Sequence, residues 1–252
     1  MVRWIVVMVL GLCAGCASSS SSDESAAPKQ RPIPYVQGSM PLKPGTWATY
    51  DIHDRKQNTD SRMWFALDQR VKRDNGSALW IEVEVTQAGQ PPVVTRFLAQ
   101  ETADGFGDLL EAIVQVKGYE PFRIPQKYLN AGRNDSPSFT KVSPAGGGTS
   151  QPATMPAPPP RKTVQLNGRT LHVYEASGQD QQGQPVHATV TEEVPPLALV
   201  TADTADVTMR LVDWGAGVQS KITGTPISMT WWITKQVVKG LAEDDSGGGT
   251  KP

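Results

Sequence analysis

The sequence predicts a mainly β domain: an antiparallel curved sheet of the half-barrel kind, with one or two short helices. Three observations predict it. Apolar and polar residues alternate with a period of two over segment after segment, the mark of a half-buried strand. An Asn-Gly pair sits between two such segments, and it is the strongest two-residue hairpin turn. Helical spacing of apolar residues is scarce throughout the 252 residues.

The strands follow in order. Thr46 to Asp54 alternates Ala48, Tyr50 and Ile52. Arg62 to Arg70 places Met63, Phe65 and Leu67 on one face. Ala78 to Thr86 sets Leu79, Ile81, Val83 and Val85 against Trp80, Glu82 and Glu84. Polar turns at Asn58 and at Asn75-Gly76 separate these segments, so an antiparallel meander is the natural reading, continued by Pro92 to Ala99. Around Asn167-Gly168, Leu166 should face Arg169 and Val164 should face Leu171. Val164, Leu166, Leu171 and Val173 then share the buried side, away from Gln165, Thr170 and His172. Two further strands are expected at Val186 to Glu193 and Val207 to Trp214, with Gly215-Ala216-Gly217 as a turn leaving the second. Between them, Val194 to Val200 is apolar but broken by Pro195-Pro196, so it reads as a buried crossing. Helices are expected over Phe106 to Val116, where Leu109, Leu110, Ile113 and Val114 have helical spacing, and over Thr234 to Leu241.

The ends have a different character. Arg3, the apolar run Trp4 to Leu12 and a small-residue junction appear in signal-peptide order, and the run is too short to remain as a membrane span. Leu12-Cys13-Ala14-Gly15-Cys16 resembles the lipobox of a bacterial lipoprotein precursor, with Cys13 where such precursors usually carry Leu. The resemblance implies cleavage after residue 15 and lipidation of Cys16. The competing reading is a plain secretory signal cut near Ala17. Three acyl chains, as the family's chemistry implies, would hold the protein stably, since each buried methylene contributes about 0.8 kcal/mol. Ala17 in place of Asp resembles the lipoproteins released to the outer membrane.

Residues 16–43 then form the lipidated cysteine and a polar tether, 44–242 one β-rich domain, and 243–252 a disordered tail. The Pro/Gly-rich stretch 143–160 is expected to be a disordered loop inside that domain, because its flanks read as parts of one sheet.

Function classes narrow by exclusion. Both cysteines lie at the signal, which removes a Cys nucleophile, a disulfide and Cys-based zinc sites from the mature domain. The net charge is −1, and near neutrality argues against a nucleic-acid partner. His53, His172 and His187 lack ligand spacing. Glu192-Glu193 cannot cooperate as acid and base, because strand neighbours point to opposite faces. There is no Gly-x-Ser-x-Gly elbow, and Gly215-Ala216-Gly217 is too short for a dinucleotide fingerprint. No enzyme, cofactor or metal is expected.

Trp47, Trp64 and Trp80 are the candidate ligand-binding residues. They fall on three successive strands, the last two opposite the aliphatic row, so a helix, the long loop or a ligand must cover that side. They either pack as core or line an apolar groove for an acyl chain or hydrophobic peptide. Trp231-Trp232 poses the same choice between core and a membrane-interface contact.

Pro44 to Tyr50, Leu79 to Val83, and Val194 to Val200 with Met209 to Gly215 together resemble envelope lipoproteins of the LolA/LolB-like half-barrel group. That resemblance implies a curved sheet around an apolar cavity, and in some members an acyl-chain cargo. The expected partners are therefore the membrane through its anchor, a lipid or other hydrophobic ligand, and envelope proteins. The opposing expectation is a structural or interaction lipoprotein whose β core is filled by its own side chains.

Overall fold

In a computed structural model the described residues are 34–36, 42–74, 76–102, 105–129, 140–144, 161–179 and 184–236. The signal, Cys16, most of the tether, most of the 143–160 loop and the 243–252 tail lie outside them.

The chain is mainly β. Its strands are β1 (Pro34–Val36), β2 (Thr46–Asp54), β3 (Thr59–Arg73), β4 (Gly76–Gln87), β5 (Val93–Thr102), β6 (Gly105–Val116), β7 (Phe122–Arg123), β8 (Thr140–Pro144), β9 (Lys162–Leu166), β10 (Arg169–Gln179), β11 (Pro185–Val190), β12 (Leu199–Asp203), β13 (Val207–Ala216) and β14 (Ile227–Ser228). Among the described residues two helical segments accompany them, α1 (Gln126–Leu129) and α2, described over 229–236. The strands form one open sheet in the order β1-β8-β10-β11-β12-β13-β2-β3-β4-β5-β6-β7-β14, with β9 branching from β10. The run β2 to β6 is the antiparallel meander that the alternation predicts. The strand after β13 in space is β2, so the two ends of the domain sequence meet at the middle of the sheet.

Bulges bend this sheet. Register shifts interrupt β3–β4 between Leu67 and Arg70, β13–β2 between Leu211 and Asp213, and β5–β6 near Ala99. Each extra residue adds local twist and curvature. The inner face carries Tyr50, Phe65, Leu67, Leu79 and Ile81, all fully buried. Removal of such side chains from water contributes about 1.5–3 kcal/mol each.

The bulge in β5–β6 corrects the helix expected at Phe106 to Val116, which is strand β6. Leu98 faces Glu111 and Ala99 faces Leu109, leaving Leu110 as the extra residue. A slip of one residue in a period-two pattern moves apolar positions into an apparent helical spacing. Ala112, Ile113 and Val114 are also buried in succession, because both faces of the sheet are covered there. The C-terminal helix starts earlier than expected, at 229 instead of 234, and residues beyond 236 lie outside the description.

The hairpin forms in the expected register, with Leu166 facing Arg169 and Val164 facing Leu171. Asn167 and Gly168 both adopt positive φ, 51° and 72°. Leu171 and Val173 are buried. The expected crossing is buried too: Val194, Leu197, Ala198 and Leu199 are almost wholly enclosed. Pro195-Pro196 is a cis peptide, and Ala198 N–H donates to Val194 O at 2.9 Å. The crossing runs directly into β12, a strand the Pro-broken pattern concealed.

Candidate functional site

Trp47, Trp64 and Trp80 lie on the outer face of β2, β3 and β4, opposite the aliphatic row, and each is half-buried. Their cover is the chain itself. After β13 the backbone leaves the sheet at Gly217, whose N–H donates to Gly45 O at 2.9 Å. It then crosses the outer face as an extended strap, residues 217–226, before Ile227 pairs in parallel with Phe122.

Each tryptophan has its own contact. A Cβ on Gly215 would lie 3.0 Å from Trp47 Cζ2, so the indole rests on bare backbone, and its Nε1–H donates to Ala216 O at 3.3 Å. The Lys221 ammonium sits 4.3 Å from the centre of the Trp64 ring. The Arg96 guanidinium lies 4.6 Å from that of Trp80. Cations over indole faces are attracted by the ring quadrupole, at about 0.5–2 kcal/mol according to desolvation.

Beneath the strap lies a charged cluster that sequence reasoning missed. Glu82 is fully buried, facing Ala66 on one side and Arg96 on the other. Ser220 Oγ–H donates to Glu82 Oε2 at 2.6 Å, and the Lys221 backbone N–H donates to Oε1 at 2.5 Å. Arg96 Nη2 donates to Asp68 Oδ2 at 2.6 Å, while its Nε lies 3.8 Å from Glu82 Oε2 and is buried without a hydrogen-bond partner. Lys221 Nζ also pairs with Glu84. Burial pushes the Glu82 carboxyl above the usual carboxylate range. Hydrogen bonds from Ser220 and Lys221, with the Arg96 charge, pull it back only in part, and Asp68 adds to the rise. The one sequence signal for this cluster is a Glu sharing a strand face with Trp80.

The remaining candidates are dispersed. His53 Nδ1 contacts Asp60 at 2.8 Å, and His172 Nδ1 contacts Glu193 Oε1 at 2.9 Å, both exposed. Glu193 also accepts from the His172 backbone N–H, and these bonds hold its carboxyl below the usual range. Among the described residues, no group of three His, Cys, Asp or Glu is placed to hold a metal. No helix there is long and apolar enough to cross a membrane. The paired tryptophans divide: Trp232 is buried against Phe122, with ring centres 4.6 Å apart, and Trp231 is exposed.

No protein-family model matches the chain, and no curated protein matches it. Solved structures similar to it include a Parabacteroides distasonis protein described as a lipoprotein, 10% identical, covering 74% of this chain and 100% of its own, at a TM-score of 0.30. Another is a Bacteroides fragilis exported protein with a YmcC-like fold, 8% identical, covering 73% of this chain and 99% of its own, also at 0.30.

Proposed function

We propose that this chain is a non-catalytic lipoprotein of the bacterial cell envelope, anchored at the outer membrane through acyl chains on Cys16. Its β domain acts as a scaffold filled by its own side chains and offers its surface to envelope proteins. The anchor rests on the lipobox-like Leu12 to Cys16 and the polar tether behind it. The scaffold reading rests on one observation: Trp47, Trp64 and Trp80 are all met by the chain's own atoms, from Gly215, Lys221 and Arg96.

A second reading has its own support. On the inner face Val85 is 39% exposed, and Val83 and Val93 beside it are half-buried. An apolar strip of this kind suits an acyl chain, the cargo implied by the LolA/LolB-like resemblance. Mass spectrometry of a lipid extract from the purified domain separates the two. Absence of co-purifying lipid supports the scaffold, and a stoichiometric lipid species supports the carrier. Cys16→Ser should abolish fatty-acid labelling and membrane fractionation, and unchanged labelling would defeat the anchor.

A further inference from the structure

The strap over the outer face has an unusual attachment. Beyond the Gly217 N–H bond to Gly45 O it makes no strand pairing up to Pro226, and its grip on the sheet there runs through side chains. At one end Thr223 N–H donates to Gln115 Oε1 at 2.8 Å, and Gln115 Nε2 donates back to Thr223 O at 3.1 Å. In the middle, two adjacent strap residues, Ser220 and Lys221, both bind the carboxylate of Glu82. A backbone ladder has no protonation state, but this central grip does.

We propose that residues 217–226 form a pH-gated strap: ionisation of Glu82 loosens it from the outer face, and protonation of Glu82 closes it over Glu82 and Trp64. The geometry sets the direction. With the strap down, Glu82 is fully buried, and an ionised carboxylate there loses its water. With the strap lifted, the same carboxylate is solvated. The surrounding charges do not offset this. Arg96 from β5 is already bonded to Asp68 from β3, Lys221 from the strap is paired with Glu84 on β4 itself, and Arg96 meets Glu82 only at 3.8 Å. Three carboxylates therefore share two cations. When protonated, Glu82 still accepts from the Lys221 N–H, and its own O–H donates to Ser220 Oγ, so both strap bonds survive without the buried charge. The closed state binds the proton more tightly, in agreement with the raised Glu82 carboxyl. Closure is thus favoured in acid and weakens as pH rises through the titration of the closed state. Opening would uncover Trp64 and the Glu82 carboxylate on the outer face.

Hydrogen exchange of the mature protein tests this, with protection factors corrected for the intrinsic pH dependence of exchange. The Lys221 and Thr223 amides should lose protection by up to about tenfold per pH unit between the open-state and closed-state titrations of Glu82, the limit for one linked proton. The β3–β4 ladder amides should not follow. Glu82→Gln, which keeps both strap bonds, should flatten the profile. In the wild type, the carbon resonance of the Glu82 carboxyl should titrate at the upper end of that window, where the loss of strap protection levels off, a measurement that needs no variant. Strap protection independent of pH, or an unaltered pH dependence in Glu82→Gln, would overturn the proposal.

Discussion

The Asn167 side-chain amide donates to the carbonyl of Val212 at 2.6 Å, across 45 residues of sequence. Val212 is the residue that β13 leaves without a partner on β2, since Leu211 faces Tyr50 and Asp213 faces Thr49. The hairpin tip therefore satisfies a carbonyl at the bulge. Arg169 fastens the same end, with Nη1 donating to Trp214 O at 3.1 Å and its guanidinium 4.7 Å from the Trp214 ring. A turn residue chosen for positive φ thus also closes the branch β9–β10 onto the main sheet.

Asn167→Ala should cost about 2 kcal/mol. It forfeits one hydrogen bond, about 1 kcal/mol, and places a Cβ-bearing residue without a local amide in left-handed backbone, about 1 kcal/mol more. Asn167→Gly retains the backbone freedom and should show only the first loss. Urea denaturation of both variants, at unchanged m-value, separates the two contributions. Equal destabilisation of the two would deny the backbone component.

The hairpin was legible in sequence because its turn chemistry and its period-two flanks agree. The meander β2 to β5 was legible for the same reason, and Thr46–Asp54 falls where the alternation places it. The pattern failed where a bulge or two-sided burial breaks alternation. Leu110 disguised β6 as a helix, and Pro195-Pro196 hid the entry to β12. The outer face was legible only in part. Alternation puts Trp64, Trp80 and Glu82 on one side, but a cover without periodicity, such as 217–226, leaves no pattern from which to foresee Ser220 and Lys221 on Glu82.

Gly215→Ala should destabilise by about 1–2 kcal/mol, the usual penalty for forcing extra volume into a packed contact. The new methyl would meet Cζ2, Cε2 and Nε1 of Trp47 at 3.0, 3.1 and 3.2 Å. The rigid indole must tilt as a whole and stretch its bond to Ala216 O. A thermal melt reads the loss, and a shift of the Trp47 indole N–H resonance identifies its source. An unmoved resonance would place the cost elsewhere.

Tyr50, on the inner face of β2, anchors the end of the buried crossing. It is fully buried, and its O–H donates to Leu199 O at 3.3 Å. Tyr50→Phe should cost about 1 kcal/mol, since the carbonyl of Leu199 loses its phenolic donor. Burial also holds the phenol far above its ordinary range. Ultraviolet titration should therefore show Tyr50 ionising only as the protein unfolds in alkali, and an early phenolate signal that vanishes in Tyr50→Phe would contradict this burial.

Glu101 and Glu82 should push acid stability in opposite directions. Arg70 donates to Glu101 through Nε at 2.6 Å and Nη2 at 2.8 Å, and a further Nη2 bond to Leu42 O fixes the guanidinium. The bonds from Arg70 hold the Glu101 carboxyl below the usual range, against partial burial, with help from Ser77. The folded state therefore binds this proton less tightly than the unfolded chain. The stabilisation is present above the unfolded carboxylate value, about 4.3, and is lost as pH falls through the lower folded value. Arg70 is partly exposed, so solvent screening limits the pair to about 1 kcal/mol. Glu101→Gln should be less stable than wild type by that amount near pH 7, and the two should converge below the folded-state titration. Glu82→Gln should run the other way, gaining on wild type as pH rises, because it removes a buried charge that acid would otherwise neutralise. Denaturant midpoints for both variants from pH 3 to 8 check the pair of slopes, and parallel profiles would mean that one of the two carboxylates sits in an environment other than the one described.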